Sequence, residues 1–158
     1  MNTLVVYFSR TGNTKKVAEK IAKELGSDVE EIKEEKERKG FLGYMRSGRE
    51  ATLKSKPKID EPVRKVKEYD VIIIGTPVWG WTMSSPVRSY IYKVRDDFKG
   101  VAFFCTMGGS GGKAAFKSME DAASMVPKAT LELMQKEVMA DAFDKKVKDF
   151  ADKLISIK

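Results

Sequence analysis

Val71-Ile72-Ile73-Ile74 is an unbroken β-branched run, closed by Gly75. Branching at Cβ stiffens the side chain and favours extended backbone. With no polar residue alternating, the run suits a strand buried on both faces. That is the signature of a parallel sheet covered by helices. A parallel neighbour needs a crossover of a dozen residues or more, usually a helix.

The rest of the chain supplies such crossovers. Residues 4–8 form an apolar first strand, and residues 13–25 read as a helix with Val17, Ile21 and Leu25 at four-residue spacing. Gly26 stands where a left-handed cap belongs. Residues 28–33 are a weak strand whose only apolar residues are Val29 and Ile32, which suits a sheet edge. Residues 59–68 suggest a short helix carrying Val63 and Val66. Residues 84–94 follow as a helix, with Ser84 or Ser85 as N-cap and Pro86 in the first turn. A strand at 101–106, a glycine-rich loop at 108–112, a helix at 113–123 and a strand at 130–134 come next. Phe143, Val147, Phe150 and Leu154 mark a last amphipathic helix. The expectation is an α/β fold, an open parallel sheet of five strands. The 158 residues suit a single domain, 1–158. Ligands on such sheets sit beyond the carboxyl ends of the strands.

Composition narrows the chemistry. There is no histidine, so Ser-His-Asp and Cys-His catalysis and His-ligated metals are excluded. The one cysteine, Cys105, allows no intrachain disulfide or Cys-rich metal site. At the end of an interior strand it reads as a small buried hydrophobe. Hydrolytic or redox chemistry would need a bound cofactor or a carboxylate site. No apolar run is long enough to span a membrane. The start lacks a basic leader and cleavage site, so a cytoplasmic location is expected. The net charge is +7, and from position 38 to 67 ten bases face three acids, which is the whole excess. Such a face steers acidic partners. It matches no nucleic-acid module.

Three strand ends carry binding-type loops. The first reads Ser9-Arg10-Thr11-Gly12-Asn13-Thr14 and runs directly into a helix. Free N–H groups and the helix dipole make that junction an anion site. Three hydroxyls add donors, and a phosphate dianion fits; an ordinary Ser/Thr-rich N-cap is the plainer alternative. The second reads Thr76-Pro77-Val78-Trp79-Gly80-Trp81. Tryptophans in an uncharged strand-end loop suit stacking on a flat ring, or they plug the core; Trp79 is the one favoured at a ring. The third reads Thr106-Met107-Gly108-Gly109-Ser110-Gly111-Gly112, whose glycines offer bare amides to a planar ligand's polar edge, or form a plain surface loop.

With these loops the chain resembles the flavodoxin-like family. The phosphate loop at 9–14 and the Trp-Gly loop at 76–80 match the family's patterns, and the strand–helix order agrees along essentially the whole chain. The resemblance implies a three-layer fold of sheet order 2-1-3-4-5 with helices on both faces, and non-covalent FMN. It implies that residues 9–14 hold the 5′-phosphate, Trp79 flanks the isoalloxazine, the Gly80 carbonyl faces flavin N5, and residues 106–111 face the pyrimidine edge. The implied role is electron transport between redox proteins, with no catalytic side chain and no metal. An FMN-dependent NAD(P)H or quinone oxidoreductase is the alternative, and a flavin-free interaction module using the basic face is a third.

Departures from the family pattern refine this. Where the family carries acids after the Trp-Gly pair, this chain has Trp81-Thr82, and the third loop has no tyrosine. Loss of negative charge should make the flavin easier to reduce. The basic face suits an acidic, ferredoxin-like partner. Phe41, Tyr44 and Met45, in the long connection after the second strand, are candidates to cap the flavin; a satellite hydrophobic cluster is the alternative.

Overall fold

The computed structural model describes residues 1–34, 45, 46, 49 and 56–157. Five parallel strands form the central sheet: β1 (Thr3–Tyr7), β2 (Asp28–Glu31), β3 (Val71–Trp79), β5 (Val101–Met107) and β6 (Thr130–Met134). A short β4 (Thr82–Met83) pairs antiparallel with the end of β3. The order across the sheet is β2-β1-β3-β5-β6, so the five long strands keep the expected 2-1-3-4-5 arrangement. The helices are α1 (Asn13–Leu25), α2 (Ser85–Val94), α3 (Gly112–Ala123), the short α4 (Gln135–Met139) and α5 (Asp144–Ser156).

The strand period of two divides each central strand between two cores. Ile72 and Ile74 of β3 face α2 and α3, beside Val87, Ile91, Phe116 and Met119. Val71 and Ile73 face α1 and α5, beside Val17, Ile21, Phe150 and Leu154. This two-sided burial is what the β-branched run required. Cys105 is fully buried in the first of these cores, and burial pushes its thiol up to about 12.

Gly75 has a specific duty in this packing. It lies across from Phe104 in the β3–β5 register. A Cβ there would sit 1.9 Å from the ring carbon Cζ of Phe104. The ring therefore lies flat across the glycine and fills the space a side chain would take.

Two elements differ from the sequence expectation. Strand β3 runs on to Trp79 and turns back into β4, whereas the sequence places a loop after Gly75. Residues 59–68 hold only a short 3₁₀ turn at Val66–Glu68, not a helix. The cause is local. The Glu30 carboxylate accepts the N–H groups of Val63 and Arg64 at 2.8 and 2.9 Å, which ties the segment to β2 in a bend. Val63, expected on an apolar helix face, is 84% exposed.

At the other end of the sheet, Glu137 accepts the Met134 N–H at 2.8 Å and pairs with Lys146 at 2.7 Å. Lys146 foremost, and then the Met134 N–H, hold this carboxyl below its usual range. A depressed carboxylate stabilises the fold above its unfolded value, near 4.3, and that contribution is lost as pH falls through the folded value. Glu137→Gln should therefore lower stability at pH 7, and the difference from wild type should narrow at pH ~3. Urea melts at the two pH values check this.

Candidate functional site

The three loops converge at the carboxyl edge of β1, β3 and β5, and each is joined to the other two. Thr14, buried in the first turn of α1, shares a hydrogen bond of 2.8 Å with Thr106 at the end of β5. Phe8, just past β1, meets Trp79 edge-on, with ring centroids 5.6 Å apart and planes at 84°. Trp81 donates its indole N–H to Ser110 Oγ at 3.1 Å. Fixing three loops against each other in this way lowers the ordering cost of binding a ligand between them.

Between the first two loops lies a cavity of about 180 Å³ lined by Ser9, Arg10, Thr11, Asn13, Thr14, Pro77, Val78, Trp79, Thr106, Gly108 and Gln135. Gly12 caps α1 with φ +99°, a left-handed conformation that a side chain would oppose. The Gly12 N–H donates to Ser9 Oγ at 3.0 Å, which closes the turn. The first turn of α1 has no acidic residue and no side-chain cap. Its N–H groups and hydroxyls thus form a donor set suited to an anion. Gly111 repeats the device at the start of α3, with φ +98°.

The hairpin between β3 and β4 builds the second wall. Trp79 pairs with Thr82 across a two-residue turn. Both central residues, Gly80 and Trp81, have positive φ, at 57° and 58°, as a type I′ hairpin requires. For tryptophan that conformation is strained. The strain is supported from two sides. Ser110 holds the indole nitrogen, and the indole packs onto Gly111 so closely that a Cβ there would lie 2.4 Å from Trp81 Cδ1. The outcome is an indole 67% exposed at the rim, while Trp79 is 9% exposed and belongs to the core beneath.

The sequence-predicted residues therefore fall into distinct places. Residues 9–14, Pro77, Val78, Trp79, Thr106 and Gly108 meet at or beside the cavity, while Trp81, Ser110 and Gly111 form its outer rim. Thr76 is buried behind it, where its hydroxyl donates to Ser84 Oγ at 3.1 Å and accepts the Ser84 N–H at 2.9 Å. Met107 ends β5, and Gly109 is exposed beside Ser110. Phe41 and Tyr44 lie outside the described residues, and Met45 is exposed. Gln135 lines the cavity, yet sequence reading passed over it, because a lone glutamine after an edge strand carries no pattern. A larger hollow of about 520 Å³ lies at the opposite, amino end of the sheet, lined by Met1, Thr3, Leu25 and Val71 among others. It has no helix N-terminus and no cluster of hydroxyls.

Known proteins share this fold. The family model described as flavodoxin matches residues 2–153. A flavoprotein of Lactobacillus acidophilus, solved in complex with FMN, is 26% identical, with a TM-score of 0.70 over 88% of this chain and 97% of its own. A candidate flavoprotein of Bacteroides uniformis is 25% identical, with a TM-score of 0.80 over 96% and 97%. The two-electron reduced flavodoxin of Megasphaera elsdenii shares the fold at 24% identity, with a TM-score of 0.60 over 96% and 98%. No curated protein matches the chain. Among the described residues no helix is long and apolar enough to cross a membrane.

Proposed function

This chain belongs to the flavodoxin family, and on that premise we propose that it is an FMN-binding electron-transfer protein whose flavin is held where the three loops meet. The observation that carries the reading is the set of pairwise links between those loops around an uncapped helix start. The donors fit the group: hydroxyls and helix N–H groups face a phosphate, while amides and an indole face a planar ring. When bound, FMN supplies the redox chemistry. The chain's own part is to bind, orient and shield it.

Ser9, Thr11, Gly12, Asn13 and Thr14 hold the phosphate, with Arg10 at the cavity wall. The Gly80–Trp81 turn and residues 106–111 border the ring. No side chain has to act as acid or base. The same reading covers a single domain, 1–158, working in the cytoplasm with an acidic redox partner on the basic 38–67 face. In the described part of that face, Lys56 lies 4.4 Å from the ring centre of Tyr92 on neighbouring α2, and Arg95, just past the end of that helix, lies 4.6 Å from the same ring. A second reading, hydride acceptance from NAD(P)H or reduction of quinones, is favoured by one observation: the exposed Trp81 indole offers a flat surface to a second ring.

The test begins with protein isolated gently and offered FMN. Quenching of flavin fluorescence at one equivalent is expected; no uptake refutes the reading. Stepwise dithionite titration then separates the two roles. Two resolved one-electron steps favour the carrier, and a single step with steady NAD(P)H oxidation favours the reductase. Thr11→Ala removes one hydrogen bond to a charged ligand, worth about 1.5–3 kcal/mol. FMN should bind roughly 10- to 150-fold more weakly, as measured by fluorescence titration.

A further inference from the structure

Arg88, on the second turn of α2, is buried, with 5% of its surface exposed. Its Nη2 donates to Thr82 Oγ1 at 3.0 Å, and its Nε has no hydrogen-bond partner. Among the described residues no carboxylate pairs with it. Arginine stays charged in proteins, and an uncompensated buried charge is costly to the fold. From the sequence alone, a single arginine in an amphipathic helix reads as a solvated residue.

Its position gives the charge a use. Thr82 is the far end of the hairpin turn and pairs with Trp79, which lines the cavity. The start of α2 is tied to the same wall through Ser84 and Thr76. Full reduction of a flavin takes up two electrons and, near neutrality, one proton. One negative charge is therefore added to the ring, and a nearby buried cation favours that state. Salt screens such a buried interaction far less than a surface one.

We infer that Arg88 is a positioning residue with an electrostatic effect: its buried guanidinium holds the Thr82 end of the hairpin and makes FMN bound beside that hairpin easier to reduce. This rests on the FMN reading above. It also goes beyond the missing acids noted in the sequence, because it assigns a particular cation on the protein's inner side of the turn.

The experiment compares the two-electron midpoint potential of FMN-loaded wild type, R88Q, R88K and T82V at low and at 1 M salt. R88Q should shift the reduction equilibrium at least tenfold towards oxidised flavin, about 30 mV lower, and the shift should persist at high salt. R88K keeps the charge and T82V removes only the hydrogen bond, so both should stay within threefold of wild type. The inference is overturned if R88Q matches wild type, or if T82V shifts as far as R88Q. It is also overturned if R88Q fails to fold while R88K folds, because Arg88 would then serve only the scaffold. Wild type that takes up no FMN would instead refute the parent reading.

Discussion

Gly75→Ala is expected to destabilise the fold by about 3 kcal/mol or more. The added Cβ would stand 1.9 Å from Phe104 Cζ and 2.4 Å from both Cε atoms. No rotamer of alanine avoids this, because the methyl position is set by the backbone. The ring cannot swing aside either: Phe104 is fully buried on the central strand β5, packed with the core of α1 and α5. Overpacking of a rigid core costs about 1–3 kcal/mol and sometimes more. Here the whole ring edge is struck, which puts the cost at or above the top of that range. Against a total stability of about 5–15 kcal/mol, the melting temperature should fall by roughly 6–12 °C or more. The double variant Gly75→Ala/Phe104→Leu should be more stable than Gly75→Ala alone, since the leucine gives back the space. Thermal melts of the two single variants and the double give the coupling. A Gly75→Ala protein melting within 2 °C or so of wild type would contradict the packing described.

Gly12→Val acts on the site and not on the core. Nothing lies within 4 Å of a Cβ at this position, so no clash arises. The obstacle is the backbone: φ is +99°, and a β-branched residue is a genuine outlier there. Left-handed backbone costs an ordinary residue about 1–2 kcal/mol, and branching adds to that. The free loop can relax to negative φ, but binding must then restore the strained turn before its N–H groups meet the phosphate. FMN affinity should fall at least tenfold, about 1.4 kcal/mol, while far-UV circular dichroism stays that of wild type. Isothermal titration and circular dichroism on the same sample check the two halves. Undiminished affinity would exclude this turn as the phosphate seat.

How far the sequence could be read follows from these same residues. The long strands were legible because β-branched runs on a two-sided sheet have nowhere else to go, and α1 and α5 because Val17, Ile21, Phe150 and Leu154 recur at helical spacing. The hairpin was not. Its turn, Gly80-Trp81, carries none of the Asn-Gly or Asp-Gly chemistry that announces a type I′ hairpin, and its return strand is two residues long. The preference for Trp79 at a ring carried no information on which indole is buried, for the same reason. Which indole is buried depends on a turn pinned by Ser110, 29 positions away in the chain. Residues 59–68 misled because helical spacing of Val63 and Val66 carried no sign of the Glu30 clamp, a contact formed only in the folded chain.

The outer margin of the sheet has its own consequence. Strand β2 reads Asp-Val-Glu-Glu and lies at one end of the strand order, largely exposed. Open margins of this kind are where identical molecules add to one another and grow into fibrils. Here a second molecule joining in register would have to set its own acids against Glu31 and against Asp28 and Glu30, which Arg64, Tyr69 and the Val63 and Arg64 N–H groups already engage. Mutual repulsion of like charges thus guards the protein against polymerising, and it does so most strongly when little salt is present.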